Sequence, residues 1–172
     1  MKKITFQGEY GAYSHLACTK AFSDLEPIPC RTFESALDNV RSGNSDLAMI
    51  PVENSVAGRV ADIHYLLGDY DLKIYTEHFQ KVEHQLLVKS GVNLKDVKCV
   101  RSHSMAIGQC QSVIKEFGLQ TIVMADTAGS AKYISEQENS KDAAIASKLA
   151  AQTYGLETVS YTHLTLPTTP YV

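Results

Sequence analysis

Short stretches with the composition of β-strands alternate with helical patterns along the first part of this chain. The strand-like stretches and the helix-like stretches that follow them are 4–6 and 13–22, 27–33 and 33–43, and 46–52 and 60–67. Two strands joined by a helix run in the same direction, because the helix returns the chain to the end of the sheet from which it started. The alternation therefore predicts an α/β fold whose sheets are mainly parallel and flanked by helices.

The alternation is interrupted at two strand-like stretches, 72–77 and 82–88, that have no helix between them. We interpret the interruption as the crossover from one lobe to another. The predicted lobe one spans residues 1–76 together with a return segment near 156–162. The predicted lobe two spans residues 77–155, where strands and helices alternate again.

A polar turn follows the third predicted strand. Pro51 ends that strand, because proline has no N–H group to donate to a sheet. Glu53, Asn54 and Ser55 then leave the strand at its carboxyl end, where ligands bind in open α/β sheets. Asn54 or Ser55 could instead cap the next helix. The turn therefore fits either a binding site for a small polar ligand or a well-capped strand–turn–helix.

A second polar cluster follows the strand predicted at 97–100. Ser102 and Ser104 come directly after it, and Gln109 lies in the second turn of the next helix if Ser104 begins that helix. Ser102 can be a cap or turn residue and Gln109 a solvated side chain, or both can contact a ligand at the strand end. His103 beside Ser102 does not indicate a serine hydrolase, because the chain has no Gly-x-Ser-x-Gly sequence.

Two glycines, Gly8 and Gly11, lie in the turn between the first strand and the first helix. Glycine lets the backbone approach a ligand closely, and the N–H groups at a helix start favour an anion. A tight turn without a ligand is the alternative, because the spacing Gly-x-Gly-x-x-Gly is absent.

Charge and cysteine usage argue against several classes of protein. The net charge is −3 and no dense basic run occurs, so we expect no nucleic-acid partner. No stretch of about 18 apolar residues is present that could span a membrane. The four cysteines lack Cys-x-x-Cys spacing, which is typical of reduced thiols in a cytoplasmic protein. His78 and His84 could share a strand face, but no third ligand has suitable spacing, so we expect no metal site.

Several motifs, in the same order along the chain, resemble those of the prephenate dehydratases, and the resemblance covers residues 3–157. Residues 8–17 match the glycine-containing opening motif of the family, and Ser102-His103 with Gln109-Cys110 match a second motif. At 51–55 the chain has Pro-Val-Glu-Asn-Ser where the family has Pro-Ile-Glu-Asn-Ser/Thr. At 127–131 the chain has Thr-Ala-Gly-Ser-Ala where the family has Thr-Ala-x-Ala-Ala. In the opening motif, Ala12 stands where the family has a hydroxyl residue.

The resemblance implies an enzyme of phenylalanine biosynthesis that converts prephenate to phenylpyruvate with loss of water and carbon dioxide. It implies a two-lobed fold similar to type-2 periplasmic binding proteins, with the active site in the interlobe cleft. The reaction requires no cofactor and no metal. The expected ligand is prephenate. The protein is expected to be a cytoplasmic homo-oligomer. The alternative is a non-catalytic module that binds a small anion in the same cleft.

The resemblance also implies the residues of the site. The catalytic residues are Asn54, Ser102, Gln109 and Glu53, of which Glu53 would hold or relay a proton if the cleft buried it. The substrate-binding residues are Ser14, Ser55, Ser104, Thr127 and Ala128.

The composition changes after Glu157, since residues 158–172 contain no Asp, Glu, Lys or Arg and are rich in Thr and Pro. We expect this tail to be foreign to the gene and to contribute little to stability, with a return strand at 158–162 as the alternative. Members of the resembled family continue with Asn-x-Thr-Arg-Phe, whose Thr is their most critical catalytic residue. No Thr-Arg-Phe occurs in this chain, so we expect slow turnover.

Overall fold

The computed structural model describes residues 2–138, 140–161 and 168–171, without the side chains of 61, 62, 161 and 168–171. The described residues form two compact units. Unit 1 comprises 2–9, 13–82 and 168–171, and unit 2 comprises 10–12, 83–138 and 140–161. The division at 82/83 falls later than the boundary at 76/77 that the interrupted alternation predicts.

Unit 1 is built around a parallel three-stranded sheet with the strand order β2-β1-β3. Its elements are β1 (Lys3–Gln7), α1 (Tyr13–Ala21), β2 (Glu26–Cys30), α2 (Phe33–Arg41), β3 (Leu47–Met49), β4 (Glu53–Asn54), β5 (Gly58–Arg59), α3 (Ala61–Asp69), β6 (His78–Lys81) and β12 (Thr168–Tyr171). The central strand β1 is buried, and Ile4 and Phe6 are among the largest core side chains. The buried Thr5 hydroxyl, on the same strand, donates to the carbonyl of Ala36 at 3.0 Å, which ties α2 to the sheet.

Unit 2 is built around a mixed five-stranded sheet with the strand order β11-β7-β10-β8-β9. Its elements are β7 (Gln85–Lys89), β8 (Cys99–Ser102), α4 (Ser104–Gln109), α5 (Gln111–Glu116), β9 (Gln120–Val123), α6 (Thr127–Glu136), β10 (Ala143–Ala146), α7 (Lys148–Tyr154) and β11 (Leu156–Tyr161), with a 3-10 turn at Leu94–Asp96. Strands β10, β8 and β9 are parallel, whereas β7 runs antiparallel to β10 and β11. Every residue of β10 is buried, as expected for a central strand covered on both faces.

Local signals locate several helix ends correctly. Asp126 caps α6, and its Oδ1 accepts a hydrogen bond from the N–H group of Gly129. Gly155 ends α7 in the left-handed conformation, with φ +64°. Asp and Gly are the residue types that local sequence patterns favour at these positions, because a cap is a local interaction between residues a few positions apart.

Two predicted elements differ from the structure. Residues 72–77 do not form a strand, and the side chains of Ile74 and Tyr75 are 64% and 77% exposed. The helix predicted across 106–117 is divided at Cys110, whose N–H group lies within hydrogen-bonding distance of the carbonyls of both Ala106 and Ile107. This shared bond tightens the last turn of α4, and Cys110 separates α4 from α5.

All four cysteines are free thiols, and Cys18, Cys30 and Cys110 are buried. Burial raises the pKa of the Cys18 thiol to about 12. A buried thiol of this kind is a small core residue and a poor nucleophile. No helix in the described part of the chain is long and apolar enough to cross a bilayer.

The return segment predicted near 156–162 does not join unit 1. Strand β11 pairs antiparallel with β7 in unit 2, and Val159 packs against the unit 2 core. In the described part of the tail it is β12 that belongs to unit 1, where it pairs with β6. Alternation of apolar and polar residues identifies a strand but not its partner, because pairing depends on contacts distant in sequence.

Shortening the chain tests the role of β11. A chain that ends at Glu157 loses the pairs of Thr158, Ser160 and Tyr161 with β7, so we expect it to be less stable than a chain that ends at Tyr161 by more than about 1 kcal/mol. Urea denaturation of both chains measures the difference. Equal free energies of unfolding would support the earlier expectation of a dispensable tail from residue 158 onward.

Candidate active site

The parallel strands of unit 2 end at one edge of its sheet, and a helix begins after each of them. β8 leads to α4, β9 to α6 and β10 to α7. The N–H groups at the helix starts are therefore gathered near the carboxyl ends of the strands, where ligands bind in α/β proteins. The predicted residues Ser102, Ser104, Thr127 and Ala128 lie at this edge.

Ser102 is the last residue of β8 and is completely buried. Its hydroxyl group donates a 2.6 Å hydrogen bond to the carbonyl of Ile145 on the neighbouring strand β10. Because that bond uses the only hydroxyl hydrogen, Ser102 links two strands and can interact with a ligand only by accepting a hydrogen bond. Its catalytic role stays a prediction.

Gln109 lies in the second turn of α4, as its spacing from Ser104 predicts, but it is also the last residue of that helix, and its side chain is bonded within unit 2. Its Oε1 lies 3.0 Å from Nε2 of His84, the residue that directly precedes β7. His84 is 6% exposed, and burial lowers the pKa of its imidazole, partly offset by the bond to Gln109. Sequence reasoning treated His84 as an ordinary polar strand position and missed this contact.

Two helix starts carry the remaining predicted residues of unit 2. Thr127 is the first residue of α6 and is partly buried, whereas the methyl group of Ala128 is fully buried. Ala128 can therefore bind a ligand through its backbone but not through its side chain. Ser104 is exposed at the start of α4, where His103 is the capping residue and accepts from the N–H group of Met105.

In unit 1, the predicted polar turn is a β-hairpin, which corrects the strand–turn–helix expectation. β4 and β5 pair antiparallel around the turn at 55–57. Oδ1 of Asn54 accepts hydrogen bonds from the N–H groups of Val56 and Ala57, both at 2.9 Å. The side chain of Asn54 thus closes the hairpin, and α3 begins after Val60 without a side-chain cap.

The other predicted residues of unit 1 are in different environments. Glu53 is exposed on β4, paired in register with Arg59, and its catalytic role stays a prediction. Ser55 is exposed in the hairpin turn, and Ser14 is buried in the first turn of α1. The roles of Ser55 and Ser14 toward a substrate stay predictions.

The second glycine of the opening turn is required by packing inside unit 2. Gly11 has φ +87°, and a Cβ atom added there would lie 2.6 Å from Cα of Ala150 in α7. Ser147, the cap of α7, donates a 2.6 Å hydrogen bond to the carbonyl of Gly11. Residues 10–12 are thus held against α7 by a hydrogen bond between residues 136 positions apart, which the sequence analysis did not predict.

The two predicted amide side chains are chemically alike in one respect. Oδ1 of Asn54 accepts two hydrogen bonds within the hairpin and Oε1 of Gln109 lies 3.0 Å from the His84 ring, and the donor of each side chain is its carboxamide nitrogen. Such donors suit carboxylates and a departing hydroxyl group. Among the described residues no group of three His, Cys, Asp or Glu side chains could hold a metal ion.

Unit 1 also contains a cavity of about 200 Å³, lined mainly by apolar side chains of α2, β3 and the segment 72–76. None of the predicted site residues lines it. Its hydrocarbon walls do not suit a dianion, because burying an unpaired carboxylate is costly.

These features describe an α/β protein with amide donors and helix starts at the ends of its strands, which suits the binding of a small anion. Comparison with known proteins identifies the family. The family model for prephenate dehydratase matches residues 4–162, and the chain belongs to this family.

Two curated relatives show the extent of the similarity. A bifunctional N-acyl-homoserine lactone acylase/prephenate dehydratase of Komagataeibacter europaeus is 46% identical over 154 residues, which are 90% of this chain and 55% of the relative. The chloroplastic arogenate dehydratase/prephenate dehydratase 2 of Arabidopsis thaliana is 38% identical over 158 residues, 92% of this chain and 42% of the relative. The chain thus spans about half the length of these relatives.

A solved structure confirms the fold class. The prephenate dehydratase of Arthrobacter aurescens in complex with L-Phe superposes with a TM-score of 0.90 at 29% identity, covering 98% of this chain and 58% of that one. The predicted α/β fold with mainly parallel sheets flanked by helices, like that of the periplasmic binding proteins, is therefore correct. The location of the site in a cleft remains a prediction.

Proposed function

We propose that this chain is a prephenate dehydratase, which converts prephenate to phenylpyruvate, carbon dioxide and water in phenylalanine biosynthesis in the cytoplasm. The observation that carries the proposal is the family match over residues 4–162. It is supported by the two relatives, because dehydratase activity is what their names have in common.

The reaction sets clear demands on the protein. Prephenate carries two carboxylates, and its ring becomes aromatic when the ring carboxylate leaves as carbon dioxide and the ring hydroxyl leaves as water. A protein that catalyses both losses must anchor the remaining carboxylate and donate a hydrogen bond or a proton at the departing hydroxyl, which is worth about 10²–10⁴-fold in rate.

We assign the anchoring and donating tasks to Asn54 and Gln109. The NH₂ group of each carboxamide is a neutral donor, and neither side chain has a proton that it could lose at neutral pH. Glu53 is a weaker candidate because it is exposed.

The proposal is tested by measuring phenylpyruvate formation from prephenate together with prephenate binding by calorimetry. We expect binding with slow turnover, and faster turnover from a longer version that continues past Tyr161 with an Asn-x-Thr-Arg-Phe segment. Arogenate serves as a second substrate, with phenylalanine as its product. Binding without turnover in both versions would favour the non-catalytic anion-binding module, and failure to bind either substrate would reject both functions.

A further inference from the structure

His84 lies at the same sheet edge as the ends of β8, β9 and β10. It directly precedes β7, whose first residue, Gln85, pairs with Ala146 at the end of β10. Because β7 runs antiparallel to β10, its start and the end of β10 are neighbours. The ring of His84 reaches Oε1 of Gln109 with its Nε2 atom, at 3.0 Å.

The chemistry of this contact fixes the direction of the hydrogen bond. A carboxamide oxygen can only accept, so Nε2 of His84 must carry the proton and donate it. Rotating the carboxamide of Gln109 by half a turn would place its NH₂ group against the N–H of the imidazole, and two donors would face each other. The protonated Nε2 therefore selects one of the two orientations of the Gln109 side chain.

Burial supports the same conclusion. His84 is 6% exposed, so the imidazole side of this part-buried bond is shielded from competing water. Desolvation lowers the pKa of the His84 imidazole, which favours the neutral ring, and the contact with Oε1 of Gln109 then places the single proton on Nε2. A neutral ring adds no charge to the site while still holding the carboxamide oxygen.

We propose that His84 is a positioning residue of the dehydratase site: it donates from Nε2 to Oε1 of Gln109 and thereby holds the NH₂ group of Gln109 as the donor offered to substrate. This proposal rests on the proposed function of the chain. It assigns His84 no contact with substrate, and its effect on the reaction passes through Gln109.

The first measurement needs no variant. In the unmodified protein labelled with ¹⁵N, two-bond proton–nitrogen correlation spectra distinguish the two neutral tautomers of each histidine. We expect His84 to carry its proton on Nε2, with assignment by loss of its signals in His84→Leu. A proton on Nδ1 in the neutral ring would overturn the proposal, whatever the activity of the chain.

The second measurement compares kcat and KM for His84→Leu, His84→Gln, Gln109→Leu and the double variant His84→Leu/Gln109→Leu. Gln places an amide nitrogen close to the Nε2 position of His, so it retains the donor. We expect His84→Leu to lower kcat/KM about 10–100-fold and His84→Gln to recover most of that loss. In the Gln109→Leu background, His84→Leu should have little further effect, because the group that it positions is gone.

Gln85→Leu is the matched control. Gln85 follows His84 in the chain, is equally 6% exposed and accepts a hydrogen bond from Thr158, but it does not contact Gln109. We expect it to retain the parental kcat/KM. Any of three results would overturn the proposal. Gln85→Leu could lose as much kcat/KM as His84→Leu, or His84→Leu could have the same effect on kcat/KM with and without Gln109. The third is that His84→Gln does not restore kcat/KM. A parent chain that neither binds nor converts prephenate while His84 shows the expected tautomer would instead reject the proposed function, and the role of His84 with it.

Discussion

Replacement of Gly11 by alanine is expected to destabilise this protein by about 2–5 kcal/mol, the largest stability effect that we expect from a single methyl group. Two costs add. The backbone at Gly11 has φ +87°, which an alanine adopts only with strain, and the new Cβ would lie 2.6 Å from Cα of Ala150. The second cost is a clash with a backbone atom, so no side-chain rotation can relieve it.

The measurement is the free energy of unfolding in urea, with Gly91→Ala as the control. Gly91 has φ +79°, in the same unit, and an added Cβ there would meet nothing within 4 Å. The control therefore carries the backbone strain without the clash, and should cost about 1–2 kcal/mol. If both variants lose the same free energy, the close approach to Ala150 does not matter.

Asn54→Asp is expected to lower kcat/KM for prephenate by about 10²–10³-fold while leaving the fold intact. The substituted carboxylate can still accept the hydrogen bonds from Val56 and Ala57 that close the hairpin. It cannot donate, and its negative charge repels the carboxylates of the substrate. Activity and stability are thus separated in a single isosteric change.

Asn44→Asp provides the matched control for charge. Asn44 is an exposed residue of unit 1 that donates to the hydroxyl of Ser42, so this variant makes the same change in net charge away from the hairpin. We expect parental kcat/KM for Asn44→Asp and, for both variants, a change in unfolding free energy of less than about 0.5 kcal/mol. Parental activity in Asn54→Asp would remove Asn54 from the catalytic group.

Much of the fold could be predicted because the relevant interactions are local. The strand at the N-terminus, the amphipathic helix α2 and the caps at Asp126 and Gly155 follow from periodicity and from contacts within one or two turns. The candidate site was predicted less from such patterns than from a family resemblance. The positions of Asn54 and Ser102 at strand ends, and of Gln109 in the helix that follows Ser102, were compatible with that role without requiring it.

The sequence by itself determined the α/β class, the order of most strands and helices, and the family, because local periodicity and short motifs are written in consecutive residues. Only the tertiary structure decided which strand β11 joins, why Gly11 must be glycine, and that His84 holds Gln109. The last two contacts join residues that are 139 and 25 positions apart. Contacts at such separations depend on how whole elements pack, and no pattern of neighbouring residues encodes them.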